Sequence, residues 1–171
     1  MTMATPRQSS GELKEVPPSI LERLCGAGEG QRGATDLRVD VDALREEVLA
    51  HVQALLNTRL AEIDGLDACP EAKQSLLAYG VPDLSAFFHG SQHDLQRMIA
   101  CIEKAIRTFE PRLDPQSVRV ERVREATDEP VMKLRLRVQA VLRVHPFRAP
   151  VVFDTRIDAD TASVTVHGVD A

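Results

Sequence analysis

Tryptophan is absent, tyrosine occurs once, at Tyr79, and aromatic residues make up only 4% of the chain. A platform for stacking nucleic-acid bases would have few residues to work with, which argues against an RNA or single-strand reader. The cysteines Cys25, Cys69 and Cys101 are odd in number and lack CxxC spacing. They suit a reducing compartment, read here as the cytosol, and fit neither a disulfide framework nor a zinc site. No run approaches the roughly 18 apolar residues of a membrane span, and the N-terminus lacks a basic-then-apolar signal pattern, so no membrane insertion is expected. GxSxG, Walker and GxGxxG motifs are missing, and no Ser, Cys or Thr is visibly paired with a base, so the sequence offers no nucleophile.

What is present is enough for one domain: 171 residues, 43% of them hydrophobic, with a net charge of −5 that gives no global attraction to DNA or anionic lipid. Residues 1–36 mix Ser, Gly, Pro, Thr and charges, and "GAGEGQRGA" cannot offset the entropy of ordering it, so a flexible N-terminal arm is expected there. Within it, "VPPSILERLCG" forms an apolar island; Ile20, Leu21 and Leu24 would give a short docking segment, 18–24, one apolar face. It packs either on its own domain or on a partner. Residues 37–171 form the domain proper.

From Asp40 or Asp42, Val41, Leu44, Val48, Val52, Leu55 and Leu56 recur at helical spacing, while Arg45, Glu46, Glu47 and Gln53 fall mostly on the other side and need only solvent. His51 flanks the stripe and is expected as a packed or edge histidine rather than a ligand. Pro70, Gly80, Pro82 and Gly90 then punctuate short apolar pieces, with a helical turn expected near Glu71–Ala78. Leu84, Phe87 and Phe88 are too apolar for a free loop, so this connection should lie across the core. Ser91 and Asp94 form a capping-box pattern ahead of a second amphipathic helix, Leu95 to Phe109, that ends at Pro111.

Beyond Pro111 the period changes to two. In "VMKLRLRVQAVLRV" the even positions are apolar and the odd ones carry Lys133, Arg135, Arg137 and Arg143, which predicts a long strand with one buried and one basic face. "SVRVERVRE", "PVVFDTRI" and "ASVTVHGV" are shorter strands, with turns at "ATDEP", "HPFRAP" and "DADT". The expected fold is α+β: two main helices on one face of a small antiparallel sheet of three to four strands.

Two features could carry chemistry. His89 and His93 are near each other, but Gly90 and Ser91 start a helix between them, so no metal site is expected. Glu110 lies at an element junction beside Phe109 without a second carboxylate, and Arg112 would tend to hold it ionised, the wrong setting for the general acid of a glycosidase. The basic strand face, joined by Arg119, Arg122 and Arg124, could meet an acidic protein or phosphate, with Glu121, Glu125, Asp128 and Glu129 expected to pair with it locally. A protein partner is favoured over nucleic acid.

"PSILERL", "LLNTR" at 55–59, "LLAYGVPDLS" at 76–85, "IEKAIRTFEPRL" and "AVLRVHPFRAPVVFDTRID" at 140–158 together resemble the TssE family of type VI secretion baseplate proteins, relatives of phage-tail baseplate wedges once labelled lysozyme-like. The Gly-rich insert 26–34 and the "CP" at 69–70 depart from the family pattern. The resemblance implies a non-enzymatic, cofactor-free structural protein in a cytoplasmic baseplate docked at the inner membrane. Its partners would be TssF and TssG, with TssK nearby, and its sheet edge would start the TssB–TssC sheath. It further implies that Glu110, Pro111 and Arg112 are a structural and partner-binding signature. The two charges would then form a solvent-accessible corner pair, a kind of contact worth only about 0–1 kcal/mol to the fold.

Overall fold

The computed structural model describes residues 15–16, 39–88, 91–123, 133–144, 147–158 and 160–169. The island residues Ile20, Leu21 and Leu24 lie outside the described residues, as do Arg124, Glu125, Asp128 and Glu129. The chain divides into two units, Met1–Leu44 and Arg45–Ala171. In the first, β1 (Glu15–Val16) pairs antiparallel with β2 (Val39–Asp40).

The second unit is α+β. Its helices are α1, which runs Val41–Asn57 and so begins just before the unit does, and α2 (Gln92–Phe109). Its antiparallel sheet holds β3 (Arg119–Arg122), β4 (Lys133–Val144), β5 (Phe147–Asp158) and β6 (Val164–Gly168), in that spatial order. The alternation in β4 sets which face is covered: Leu136, Val138, Ala140 and Leu142 are buried, and their register partners Thr155, Phe153, Val151 and Ala149 on β5 are buried with them. Helix periodicity supplies the opposing surface, Val48, Val52, Leu55 and Leu56 from α1 and Met98, Ile102, Ala105 and Ile106 from α2. Each large apolar side chain so buried stabilises the fold by about 1.5–3 kcal/mol before conformational entropy is counted. The capping box forms as expected, with Asp94 Oδ2 accepting from the Ser91 N–H at 2.8 Å.

The expected turn at "HPFRAP" is shorter than anticipated, because β5 already begins at Phe147 and runs through Pro150. A proline inside a strand is tolerated where its missing N–H faces no neighbour. Val152 and Asp158 both bond toward β6, so even-numbered residues of β5 face that side. β6 is in register only with Phe153–Ile157, so Pro150 lies beyond it, where its carbonyl accepts from Arg45 Nη2 at 3.3 Å. Before α2, residues 58–88 form short 3-10 turns at Leu66–Ala68, Ala72–Gln74, Leu76–Ala78 and Leu84–Phe87, and Leu84 is buried. Gly80 is required here: with φ of 119° and an added Cβ falling 2.5 Å from the Thr58 carbonyl oxygen, it alone permits Arg59 to bridge Val81.

Both outer edges of the sheet are partly closed by helix side chains. Asn57 accepts from the Val164 N–H at 2.9 Å and donates to its carbonyl at 2.7 Å, as a neighbouring strand would, and Gln53 accepts from the Val166 N–H at 3.0 Å. Gln53 therefore does more than meet solvent, contrary to the sequence expectation; one helical turn places it and Asn57 on the same face, beside β6. On β3, Glu103 accepts from the Val120 N–H at 3.0 Å and Arg107 donates to the Val118 carbonyl at 2.8 Å, the two side chains joined to each other at 2.8 Å. Replacing Asn57 by Ala leaves both polar groups of Val164, a residue 2% exposed, without these partners. The expected loss is about 1–3 kcal/mol, read from the shift of the urea midpoint. Amide exchange at Val164 should accelerate more than at Val138, and equal rates at both would disprove the cap.

Candidate functional site: the helix-to-sheet corner and the arginine face

The Glu110-Pro111-Arg112 segment converts α2 into sheet. Glu110 still donates its N–H to the Ile106 carbonyl at 3.0 Å, and its own carbonyl accepts from the Leu113 N–H at 3.2 Å, closing a turn around Pro111. Arg112 accepts from the Arg143 N–H at 2.8 Å and Asp114 donates to the Val141 carbonyl at 2.8 Å, which lays this segment against β4 with Leu113 opposite Leu142. Ser117 Oγ accepts from the Val141 N–H at 2.8 Å and extends the stitching toward β3.

The corner is not the solvent-accessible ion pair expected from the sequence. Glu110 is 3% exposed. Arg112 meets it in a bidentate fork, Nε to Oε1 and Nη2 to Oε2, both 2.8 Å. The guanidinium also reaches Glu47 Oε2 through Nη1 at 3.2 Å and His51 Nδ1 through Nη2 at 2.5 Å. Arginine has no acceptor, so His51 Nδ1 accepts, which puts the ring proton on Nε2, the nitrogen 3.9 Å from Glu47 Oε1. Burial disfavours the Arg112 charge, but hydrogen bonding and attraction to Glu110, then Glu47, outweigh it and raise its pKa above the ordinary arginine value. Glu47, expected to be a solvated acid, and His51, expected to be a packed or edge histidine, thus belong to the site. Their spacing on one helix face was the available signal.

Beside this network lies a cleft of about 240 Å³ lined by His51, Val52, Ala54, Leu55, Tyr79, Phe109 and Glu110, with Tyr79 and Phe109 in edge-to-face contact at 5.3 Å. Its carboxylate, Glu110, uses both oxygens to accept from Arg112. The cleft is the size of a side chain.

The basic face of β4 also differs from expectation. One acid on it that the sequence did not single out is Asp154 of β5, 3% exposed, whose Oδ1 accepts from Arg137 Nε at 2.8 Å and whose Oδ2 accepts from Arg135 Nε at 3.1 Å. Glu121 stands opposite Arg137 in register, yet the guanidinium turns to Asp154. Only the sheet register reveals this, since Asp154 occupies the outward position opposite Arg137 in an otherwise apolar stretch. The site residues thus fall into two groups, the corner (Glu110, Pro111, Arg112) and the outer sheet face (Arg135, Arg137), which the described contacts do not join.

Two outcomes follow from these geometries. Arg112→Ala strands a buried carboxylate and should cost about 3–5 kcal/mol rather than a fraction of one; Arg112→Lys, lacking the fork, should recover only part of that in urea unfolding. A loss within the surface-pair range would show that the corner is solvated after all. For Asp154, hydrogen bonding to Arg137 is the largest influence, burial opposes it, and Arg135 adds to it, so the pKa is lowered. A lowered folded-state pKa contributes stability that is complete above the unfolded value of about 3.9. That stability is lost as pH falls through the depressed folded value. In a carboxyl-carbon NMR titration Asp154 should protonate below the ordinary aspartate range, and Arg137→Gln should move its midpoint upward; an unmoved midpoint would refute the assignment.

Residues 42–146 match the family model described as "Baseplate wedge protein gp25". No curated protein matches the chain. A chain from a solved structure titled "The baseplate complex from the type VI secretion system" is similar at 15% identity and a TM-score of 0.42, over 76% of this chain and 97% of that one. The family match takes in nearly all of α1, the 3-10 connection, α2 with its Glu-Pro-Arg corner, β3 and β4, well over half of the chain, and on that ground the chain belongs to the baseplate wedge protein gp25 family.

Proposed function

We propose that the protein is a structural component of a type VI secretion baseplate, a TssE-type subunit that joins TssF and TssG in the wedge and starts polymerisation of the TssB–TssC sheath. The observation that carries this reading is membership of the baseplate wedge family, whose match spans both helices, the corner, β3 and β4. Glu110, Pro111 and Arg112 hold the corner in shape and, with the adjoining cleft, offer a neighbouring subunit a fixed surface. Arg135 and Arg137 present a second surface. In this reading residues 1–36 are an arm whose segment 18–24 brings Ile20, Leu21 and Leu24 to a wedge partner, and 37–171 is the wedge domain. TssK would lie nearby, and the subunit would work in the cytoplasm at a baseplate docked to the inner membrane. Among the described residues no helix is long and apolar enough to cross a membrane.

Sheath initiation would use strand addition, in which an incoming segment pairs with unclaimed backbone groups of a sheet edge. Helix side chains occupy Val118, just before β3, Val120 on β3 and Val164 and Val166 on β6, so the groups open to a partner are those toward the C-terminal ends of these strands, at Arg122 and Gly168. No catalytic role is included, because the corner carboxylate accepts from Arg112 through both oxygens and lines its cleft without a second acid.

Copurification of the tagged chain with coexpressed TssF and TssG is the expected outcome, and retention of neither would sink the wedge reading. Arg122→Pro removes one outward N–H at an exposed edge position where proline is tolerated. If β3 is the templating edge, this variant should bind TssF and TssG normally while failing to start TssB–TssC polymers in a reconstituted mixture. Undiminished polymerisation would move the contact to β6 or away from strand addition. Release of muropeptides from cell walls, abolished by Glu110→Gln, would instead establish a hydrolase.

A further inference from the structure

The outer face of the sheet segregates charge. Outward positions of β3, β4 and β5 carry six arginines (119, 135, 137, 143, 148 and 156) against the carboxylates Glu121, Asp154 and Asp158, in a chain whose net charge is −5. Two register pairs set arginine directly opposite arginine, Arg135 with Arg156 and Arg143 with Arg148. Like charges directly opposed across a sheet are destabilising. Arg148 is eased by Asp114 at 3.8 Å. Arg156 is exposed and, among the described residues, its side chain makes no ion pair or hydrogen bond.

The acids nearest Arg156 along β5 are already engaged. Asp154 is held by Arg135 and Arg137, and Asp158 Oδ1 accepts from the Asp160 and Thr161 N–H groups of the following turn. Between β4 and the end of β6 the surface dips into a cleft of about 240 Å³ lined by Arg135, Asp154, Arg156, His167, Gly168 and Val169. Asp154 fixes the Arg135 guanidinium at the wall of this cleft, and Arg156 stands across from it. The same face shows how it takes a carboxylate, since Asp154 is gripped by two guanidinium groups.

We infer that this cleft binds a carboxylate side chain from an acidic segment of a partner protein, seated between Arg135 and Arg156 with His167 beside it. Polypeptide fits better than nucleic acid. The outward positions carry no Phe, Tyr or Trp on which a base could stack, while Val141 and Val152 give an extended peptide apolar footing farther along the face. The inference adds a ligand class to the assembly role proposed above and does not depend on which baseplate subunit supplies the segment.

The test uses the purified full chain and three fluorescent probes: a short Glu-rich peptide, its Gln-substituted counterpart, and a DNA duplex. The Glu peptide should bind in a salt-sensitive manner and the Gln peptide should not. Arg156→Gln should weaken Glu-peptide binding roughly tenfold, while Arg97→Gln, an equal charge change on exposed α2, should leave it unaltered. Because Arg156→Gln relieves a like-charge opposition, its melting midpoint should stay or rise. Tighter binding of the duplex, equal binding of the Gln peptide, or undiminished binding by Arg156→Gln would each overturn the inference. A lower melting midpoint for Arg156→Gln would do so too, by giving that arginine a structural role.

Discussion

A carboxylate that is 3% exposed must be met by a cation and fully hydrogen-bonded, and at Glu110 that cation is Arg112. The corner between α2 and the sheet follows from this pairing. Pro111 ends the helix, the turn brings the guanidinium back over the Glu110 side chain, and the backbone of 112–114 runs on as a neighbour of β4. Because the same guanidinium also reaches Glu47 and His51, it ties α1 to the end of α2 through one group. An arginine suits this better than a lysine: its planar fork serves Glu110 with two bonds and still has Nη1 for Glu47. Buried ion pairs contribute little net stability when intact, yet removing one partner is strongly destabilising because the other charge is left buried and unpaired. A subunit whose task is to present a fixed shape to neighbours fits that balance.

The sheet is held at its edges by a similar device used twice. On each helix, two polar residues one turn apart reach over to the nearest strand, Gln53 and Asn57 to β6, Glu103 and Arg107 to β3. Unpaired edges invite association with any extended chain. Covering half of each edge with side chains, and placing Pro150 where β5 runs beyond β6, restricts where a further strand can add without abolishing the possibility.

The two faces of the sheet divide the work. The inner face is apolar and locks the helices; the outer face keeps arginines in direct opposition, with Asp154 as the shared counter-ion for two of them. Asp154 compensates Arg135 and Arg137, whereas Arg156, opposite Arg135, has no such partner among the described residues. Features that run against local stability without an internal compensation are the ones to connect with function.

Much of this architecture was legible in the sequence. The period-two alternation of β4, the 3.6-residue periodicity of both helices, the Ser91–Asp94 cap and the helix stop at Pro111 are local patterns, and each records which side of an element is buried. The choice of polar partners was not legible. Arg112 meets His51 from 61 positions away and Asn57 meets Val164 from 107, while Asp154 sits in a run that reads as plain strand. Periodicity says whether a residue faces inward or outward, but which donor meets which acceptor depends on strand register and on how the helices dock across the sheet. Those are set by the packing of the whole core, so the sequence by itself determined the elements and their buried faces, and only the tertiary structure decided that Glu110 is interior, that Gln53 guards an edge, and that Arg156 is left facing another arginine.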